Sequence, residues 1–598
     1  MYTDDKNAQI VLSLLKQYGI RKIVVSPGTT NVPISRSVQL DPWFEVYSVV
    51  DERSAAYFAG GLAYSSGEPV VISCTGATAS RNYMPGLTEA YYRNLPVIAL
   101  TSQHHVNDFG SLVPQVTDRT VSQNDIKRIS VHLPYVKDDE DYERCVISTN
   151  KALIAATTRG GGPVHINLQV AGDYSFSTKR IPLVRKIEYY DDSNILNSTK
   201  DLQRSLVNKK VAIFIGAHQK FDPKTQKSIS KFAKTYNAPV FVDHTSGYSG
   251  GNLILIAQIA DLKRSYNKPD VIIDMGSVTG EYSANWLRGI ETWRLSKDGE
   301  IHDRFNNQTK LFDGRELTFF EALNSMGGSS SKRYYDEVKF EVDSIKLPVK
   351  DMPISNTYIS YKLSKLLPKD SNVHLGILNS LRNMNFYNLK NEGISISSNV
   401  GGFGIDGALS TLIGQSMSDK KRLNFGLVGD LATFYDMNAL GIRHISKNLR
   451  ILMVNNNGGV EFRLNGRLES QWAEDTNEFI SASGHYGSIR GWAESMGFEY
   501  IITETKEDFD LKIKDFCSSD INKFSKPVFF EVLTTIPDEQ RGIDSLRSLN
   551  QLPILGDDTP PMDTDGSKEE TKKSIKQTIK SITPASAKRI YRKLRNRD

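Results

Sequence analysis

Cysteine is scarce in this sequence. Only Cys74, Cys145 and Cys517 occur, far apart, odd in number and without metal-ligand spacing. That excludes a disulfide framework and a thiolate zinc site, and it fits a reducing compartment. Long apolar runs are missing too: no stretch approaches the roughly 18–20 residues that a membrane-spanning helix needs. The N-terminus, MYTDDKNAQIVLSLL, lacks the basic region of a secretory leader, so a cytoplasmic protein is expected. Most of the chain also lacks an excess of positive charge. The net charge is +5, yet residues 566–598 alone hold eleven Lys and Arg against three Asp and Glu, so the preceding 565 residues net −3. Such a body is no specific nucleic-acid binder.

What is present is a long chain of ordinary globular composition, 598 residues with 39% hydrophobic and 24% charged. At about 100–200 residues per domain it holds three or four domains. Strand-like runs alternate with helical stretches: 69–74, 95–100 and 163–168 in a first segment (1–182), VAIFIGA, APVFVD and DVIIDMG in a second (186–349), NFGLVGD, RILMVNNNGG and PVFFEVL in a third (354–555). The pattern predicts α/β architecture with parallel sheets covered on both faces, two similar modules flanking a different one. Residues 556–598 begin as an acidic, breaker-rich linker. They continue as a basic stretch whose isoleucines fall at helical spacing on either side of Pro584. Such a segment suits an anionic membrane surface or an acidic partner.

The stretch from Asn424 to Gly459 carries the chemistry. A strand ends in Gly429-Asp430, a helical segment follows, and a second strand ends in Asn455-Asn456-Asn457-Gly458-Gly459. In a βαβ unit both ends fall at the carboxyl edge of a parallel sheet, where ligands bind. A carboxylate, an amide oxygen and a backbone carbonyl form a hard-oxygen set suited to Mg²⁺ with phosphate oxygens. Either piece alone would be an ordinary turn; the pair, ending adjacent strands, reads as a magnesium-diphosphate clamp.

GDLATFYDMNAL…ILMVNNNGG resembles the diphosphate motif of thiamine-diphosphate enzymes. It is most similar to that of the MenD family, the 2-succinyl-5-enolpyruvyl-6-hydroxy-3-cyclohexene-1-carboxylate synthases. SPGTTNVPIS, DERSAAYFAGGLAYSSGEPVVISCTGATASRNYMPGLTEA, GPVHINLQV and NVGGFGIDGALSTLIG support this in the same order. The resemblance implies a three-domain thiamine-diphosphate-enzyme fold, with a pyrimidine-binding domain (1–182), a central domain (186–349) and a diphosphate-binding domain (354–555). It implies thiamine diphosphate and Mg²⁺, the metal held by Asp430, Asn456 and the Gly458 carbonyl. Gly28, Thr78, Asn82, Gly402, Phe403, Gly404, Ile405, Gly429, Leu431 and Ala432 would contact the cofactor. Glu52 matches the family's activating glutamate, which hydrogen-bonds the aminopyrimidine. Because the cofactor lies between two subunits, a homodimer or homotetramer is implied.

The departures from the family concern substrate. The family's SPGSRS becomes Ser26-Pro27-Gly28-Thr29-Thr30-Asn31, and its Asp-Arg-Pro becomes Gln103-His104-His105. Its Asn-Arg-Gly becomes Asn399-Val400-Gly401, a further arginine becomes Met417, and Gly-Lys-Arg becomes Gly280-Glu281-Tyr282. Binding two dicarboxylates, 2-oxoglutarate and isochorismate, takes several guanidinium or ammonium groups. Their loss predicts an enzyme that decarboxylates a less anionic 2-oxo acid, with or without transfer to an acceptor, and is not the menaquinone synthase. Asn31, His104, His105, Gln115 and Arg463 are candidates for the substrate pocket. The alternatives are a simple decarboxylase of the phosphonopyruvate or sulfopyruvate type, and a non-catalytic scaffold. The second segment has no G-x-G-x-x-G for a flavin.

Overall fold

The computed structural model describes residues 1–551 apart from 119–121, 171, 173, 326–329 and 465–476. The basic tail anticipated from the sequence lies outside the described residues. Among them, three parallel sheets form. The first runs in the order β2 (Glu45–Ser48), β1 (Lys22–Val25), β3 (Val70–Cys74), β4 (Val97–Gln103), β6 (Val164–Gln169), β5 (Ser130–Leu133). The middle sheet runs β10 (Leu253–Leu255), β9 (Val240–Val242), β8 (Val211–Ile215), β11 (Val271–Met275), β12 (Glu291–Ser296), β13 (Gln308–Asp313), β7 (Glu188–Asp191). The third runs β15 (Ser395–Ser398), β14 (Asn372–Leu375), β16 (Asn424–Gly429), β17 (Leu449–Asn455), β19 (Val528–Leu533), β18 (Glu499–Thr503). The first and third share one order, second-first-third-fourth-sixth-fifth, and the middle one differs. This is the α/β fold of thiamine-diphosphate enzymes, with two alike modules around an unlike one.

The central strands are apolar on both faces because helices cover both. VVISC of β3, VAIFI of β8 and VIIDM of β11 are buried at every position, as parallel sheets require. Each outer sheet has a core on either side. In the first, Leu12, Leu15 and Ile166 pack on one face, and Ala56, Ala59 and Val97 on the other.

Strand order places the functional ends. In the first sheet β1 and β3 are neighbours whose connections leave in opposite directions; in the third, β14 and β16 are. Open α/β sheets bind ligands at such switch points. The loops after β1 and β3 meet closely there: a Cβ on Gly28 would lie 2.7 Å from Thr75 Cβ. The middle domain reaches the third sheet through Gly280, where a Cβ would strike Leu381 and Val400. No helix among the described residues is long and apolar enough to cross a membrane.

Candidate active site

β16 ends in extended backbone at Gly429, and Asp430 opens the short helix Asp430–Tyr435. The Asp430 carboxylate is buried. Its Oδ1 accepts from Leu431 N (2.7 Å), and its Oδ2 accepts from Gly458 N (2.9 Å) and His485 Nε2 (3.0 Å). Burial pushes its pKa up, against the pull of His485 and the two amides. The residues after β17 turn sharply, with Asn457 at φ +63° and Gly458 at φ +152°. The turn brings Gly458 N to Asp430. Asn455 anchors the turn, its Nδ2 donating to Glu531 Oε1 (2.7 Å) and Gly487 O (3.1 Å).

Asn456 lies between the two ends. Behind the loop the buried Glu539 accepts from Asn356 N (2.9 Å) and Thr534 Oγ1 (2.8 Å), and burial pushes its carboxyl up to about 7. Asn456 Oδ1 is buried and has no hydrogen-bond partner. A buried acceptor without a donor is costly and calls for an explanation. A hard cation beside Asp430 supplies one, and it would offset the burial of that carboxylate. Among the described residues no cluster of three His, Cys, Asp or Glu side chains could hold a metal. The set here is one carboxylate, one amide oxygen and the Gly458 carbonyl, which leaves room for phosphate oxygens and water, as Mg²⁺ prefers. The residues present fit the metal and the diphosphate.

The glycine-rich loop leaves space beside them. A Cβ built on Gly401, Gly402 or Gly429 would meet nothing within 4 Å. Phe403 holds φ +57° and stacks on Tyr282 of the middle domain (centroids 5.9 Å, 17°). Gly404 is exposed, Ile405 and Leu431 are half-buried, and Ala432 is buried.

On the first sheet, Glu52 occupies the first turn of the helix Glu52–Ser66. Asp51 caps that helix by accepting from Ser54 N (2.7 Å), and Gly67 ends it in the left-handed region, as such caps do. Glu52 is half-buried. Thr78 and Asn82 stand exposed, four residues apart, on the helix Ala77–Asn82 that follows β3. Glu52, Gly28, Thr78 and Asn82 thus gather around the first sheet, and Asp430, Asn456 and Gly458 around the third.

The substrate candidates scatter. Asn31 is fully buried, its Oδ1 accepting from Ser73 Oγ (2.7 Å) and its Nδ2 donating to Ser26 O (3.4 Å). Both amide ends are spent inside the protein, so it belongs to the scaffold of the β1 turn. His104 and His105 are half-buried after β4, and His105 Nδ1 accepts from Asn107 N (3.1 Å). Gln115 is exposed at φ +64°. Arg463 is half-buried on the helix Glu461–Leu464. Val400 is buried, and Met417 packs against the core.

Four residues escaped the sequence reading: Arg382, Glu461, His485 and Glu539. Arg382 lies on the helix Asn379–Met384, after β14, whose sequence NVHL gives no strong strand signal. Had that strand been recognised, an arginine just beyond its carboxyl end would have stood out. Glu539 and His485 come from distant segments, and nothing local marks them.

The paired switch points and the orphaned Asn456 oxygen beside Asp430 define a thiamine-diphosphate-dependent enzyme. Comparison with known proteins agrees: the family described as "Thiamine pyrophosphate enzyme, N-terminal TPP binding domain" matches residues 5–130. The 2-succinyl-5-enolpyruvyl-6-hydroxy-3-cyclohexene-1-carboxylate synthase of Bacteroides fragilis is 31% identical over 550 residues, covering 89% of this chain and 97% of its own. That of Bacteroides thetaiotaomicron is 30% identical over 546 residues (89% and 97%), and that of Staphylococcus saprophyticus 25% over 571 (90% and 96%). The chain belongs to this synthase family, and its cofactor set is thiamine diphosphate with Mg²⁺.

Proposed function

We propose that this enzyme removes carbon dioxide from a 2-oxo acid and joins the remaining acyl carbon to an acceptor, on substrates less anionic than the family's arginines are built to hold. The buried, unpartnered Asn456 oxygen beside Asp430 is the observation that carries the cofactor half of this reading. The replacement of cations at 29–31, 103–105, 280–282, 400 and 417 carries the substrate half. Bound thiamine diphosphate supplies a nucleophilic carbon and an electron sink. Asp430, Asn456 and the Gly458 carbonyl would hold Mg²⁺. Gly458 N and His485 fix the Asp430 carboxylate. Such outer partners orient the ligands themselves. Gly402–Ile405, Gly429, Leu431 and Ala432 line the diphosphate half. Gly28, Thr78, Asn82 and Glu52 come from the other subunit of a homodimer, the minimal unit also of a homotetramer. There Glu52 would hydrogen-bond the aminopyrimidine. His104, His105, Gln115 and Arg463 stand as the candidates for the substrate side.

Calorimetric titration with thiamine diphosphate and Mg²⁺, followed by a screen of 2-oxo acids for carbon dioxide release, tests the reading. The expected result is saturable, metal-dependent binding with turnover of pyruvate-like acids and not of 2-oxoglutarate. Glu52→Gln should bind the cofactor but lose exchange of its C2 proton, and Asp430→Ala should lose metal-dependent binding. Normal decarboxylation by both variants would overturn the site assignment. Turnover of 2-oxoglutarate with isochorismate would overturn the substrate half.

A further inference from the structure

Among the described residues a cation does remain at the third sheet's switch point, Arg382, and the chain itself pairs it with a carboxylate. Arg382 Nη1 donates to Glu461 Oε1 in an ion pair whose two side chains are only 11% and 8% exposed. Asn379, with its amide in the satisfied orientation, donates to Glu461 Oε2 (3.0 Å) and accepts from Glu461 N (3.3 Å), so Glu461 is held at both carboxylate oxygens. The guanidinium lies over Tyr282, its Cζ 3.7 Å from the ring centroid, and Tyr282 in turn stacks on Phe403 of the glycine-rich loop. Glu461 itself follows Asn456 by five residues. The pair therefore links the segment after the metal loop, through Tyr282, to the glycine-rich loop.

Arg382 and Tyr282 line a cavity of about 480 Å³ together with Phe386, Leu464 and Ile543. Its other cations are Arg547, paired with both oxygens of Asp261 (3.0 and 2.7 Å), and Arg264, which is exposed. Glu281, also in the lining, is buried and is held by Asn385 Nδ2 (3.0 Å) and Ser283 N (3.1 Å). Two of the three cations in this lining, Arg382 and Arg547, thus already carry a carboxylate partner. A substrate carboxylate could take the Nη1 edge of Arg382 only by displacing Glu461, and a buried carboxylate stripped of its partner is strongly unfavourable.

We infer that Glu461 is a specificity-determining residue: a built-in carboxylate that occupies Arg382, so that the pocket takes a 2-oxo acid with an uncharged side chain and rejects one bearing a second carboxylate. The inference rests on the proposed function, whose substrate class it names.

The test uses the full-length protein loaded with thiamine diphosphate and Mg²⁺. Glutarate, an unreactive dicarboxylate, and butyrate, its monocarboxylate counterpart, are titrated calorimetrically into the parent, Glu461→Gln and the double variant Arg382→Met/Glu461→Gln. Carbon dioxide release from pyruvate and 2-oxoglutarate is followed in parallel. The parent should bind glutarate at least about tenfold more weakly than butyrate. Glu461→Gln should bind glutarate about tenfold or more tighter than the parent and shift kcat/KM toward 2-oxoglutarate, mainly through KM; the double variant should lose that gain. Unchanged or weaker glutarate binding by a folded Glu461→Gln overturns the inference. Should that variant fail to fold, the parent alone decides: glutarate binding as tightly as butyrate overturns it. A parent that turns over no 2-oxo acid, with the glutarate gain still present, overturns the proposed function and the substrate class named here, and leaves only the occupation of Arg382 by Glu461 standing. Turnover of pyruvate-like acids without the gain does the reverse.

Discussion

At the scale of single residues, burial sets the behaviour of several titratable groups, and His374 shows it most simply. It is buried on β14, its Nδ1 bonded to Ser397 Oγ (2.9 Å) and its Nε2 without a partner. Burial pushes its pKa down to about 4, against an ordinary value near 6.5. The folded state therefore binds this proton less readily than the unfolded chain. The stability that His374 contributes in its neutral form is complete above pH about 6.5 and is lost progressively as the pH falls toward 4. At pH 5 the loss should be on the order of 2 kcal/mol. Thermal unfolding of the parent and of His374→Leu at pH 7 and pH 5 checks this: the parent should lose more stability than the variant between the two pH values. Equal losses would mean that the imidazole is protonated in the folded protein.

At the scale of elements, Arg450 shows how a charge without a carboxylate serves the fold. It opens the central strand β17, fully buried, and donates to the carbonyls of Phe516 and Ser518 (both 2.6 Å) and Asp520 (2.9 Å). It thereby satisfies the end of the helix Lys506–Phe516 and the loop after it, groups that a helix terminus otherwise leaves open. Arg450→Met would strand three acceptors and should cost roughly 3–5 kcal/mol, given about 1–3 kcal/mol for each unsatisfied buried group. Denaturant unfolding measures it, and a loss below 1 kcal/mol would show that water replaces the guanidinium. The same elements explain what the sequence discloses. β3, β8, β11, β16, β17 and β19 read directly as strands because helices on both faces demand apolar residues throughout. β15 is only SISS, β7 is EYYD, and β12 and β13 interleave charges. These strands take their stability from neighbouring strands, so no local pattern announces them and sheet order stays hidden. The site divides in the same way. Asp430 and Asn456 are legible because each ends a recognisable strand in a turn. Arg382 is not, because the strand before it is polar, and Glu461 gains its meaning only from a partner 79 residues away.

At the scale of the whole molecule, the proposed site is divided between subunits. The helix that starts with Glu52 buries Ala55, Ala56, Ala59 and Ala63 against its own sheet, while Tyr57, Phe58 and Tyr64 remain exposed, as does Tyr92 on the neighbouring helix. Four aromatic rings left to solvent beside Glu52 are what a second copy would cover. In a closed two-fold dimer each site would then take Glu52 from one subunit and Asp430 from the other. This arrangement makes a prediction that a self-contained site would not. Glu52→Gln and Asp430→Ala should each be inactive alone. After the two are mixed, unfolded and refolded together, half of the dimers are mixed, and each mixed dimer holds one site with both native residues and one with neither. Activity should therefore recover to about a quarter of the parental value at equal protein concentration. A mixture no more active than its components would place both residues of each site in a single subunit. Activity that falls on dilution, in step with dissociation measured by sedimentation, would show from the other direction that the site is assembled only between chains.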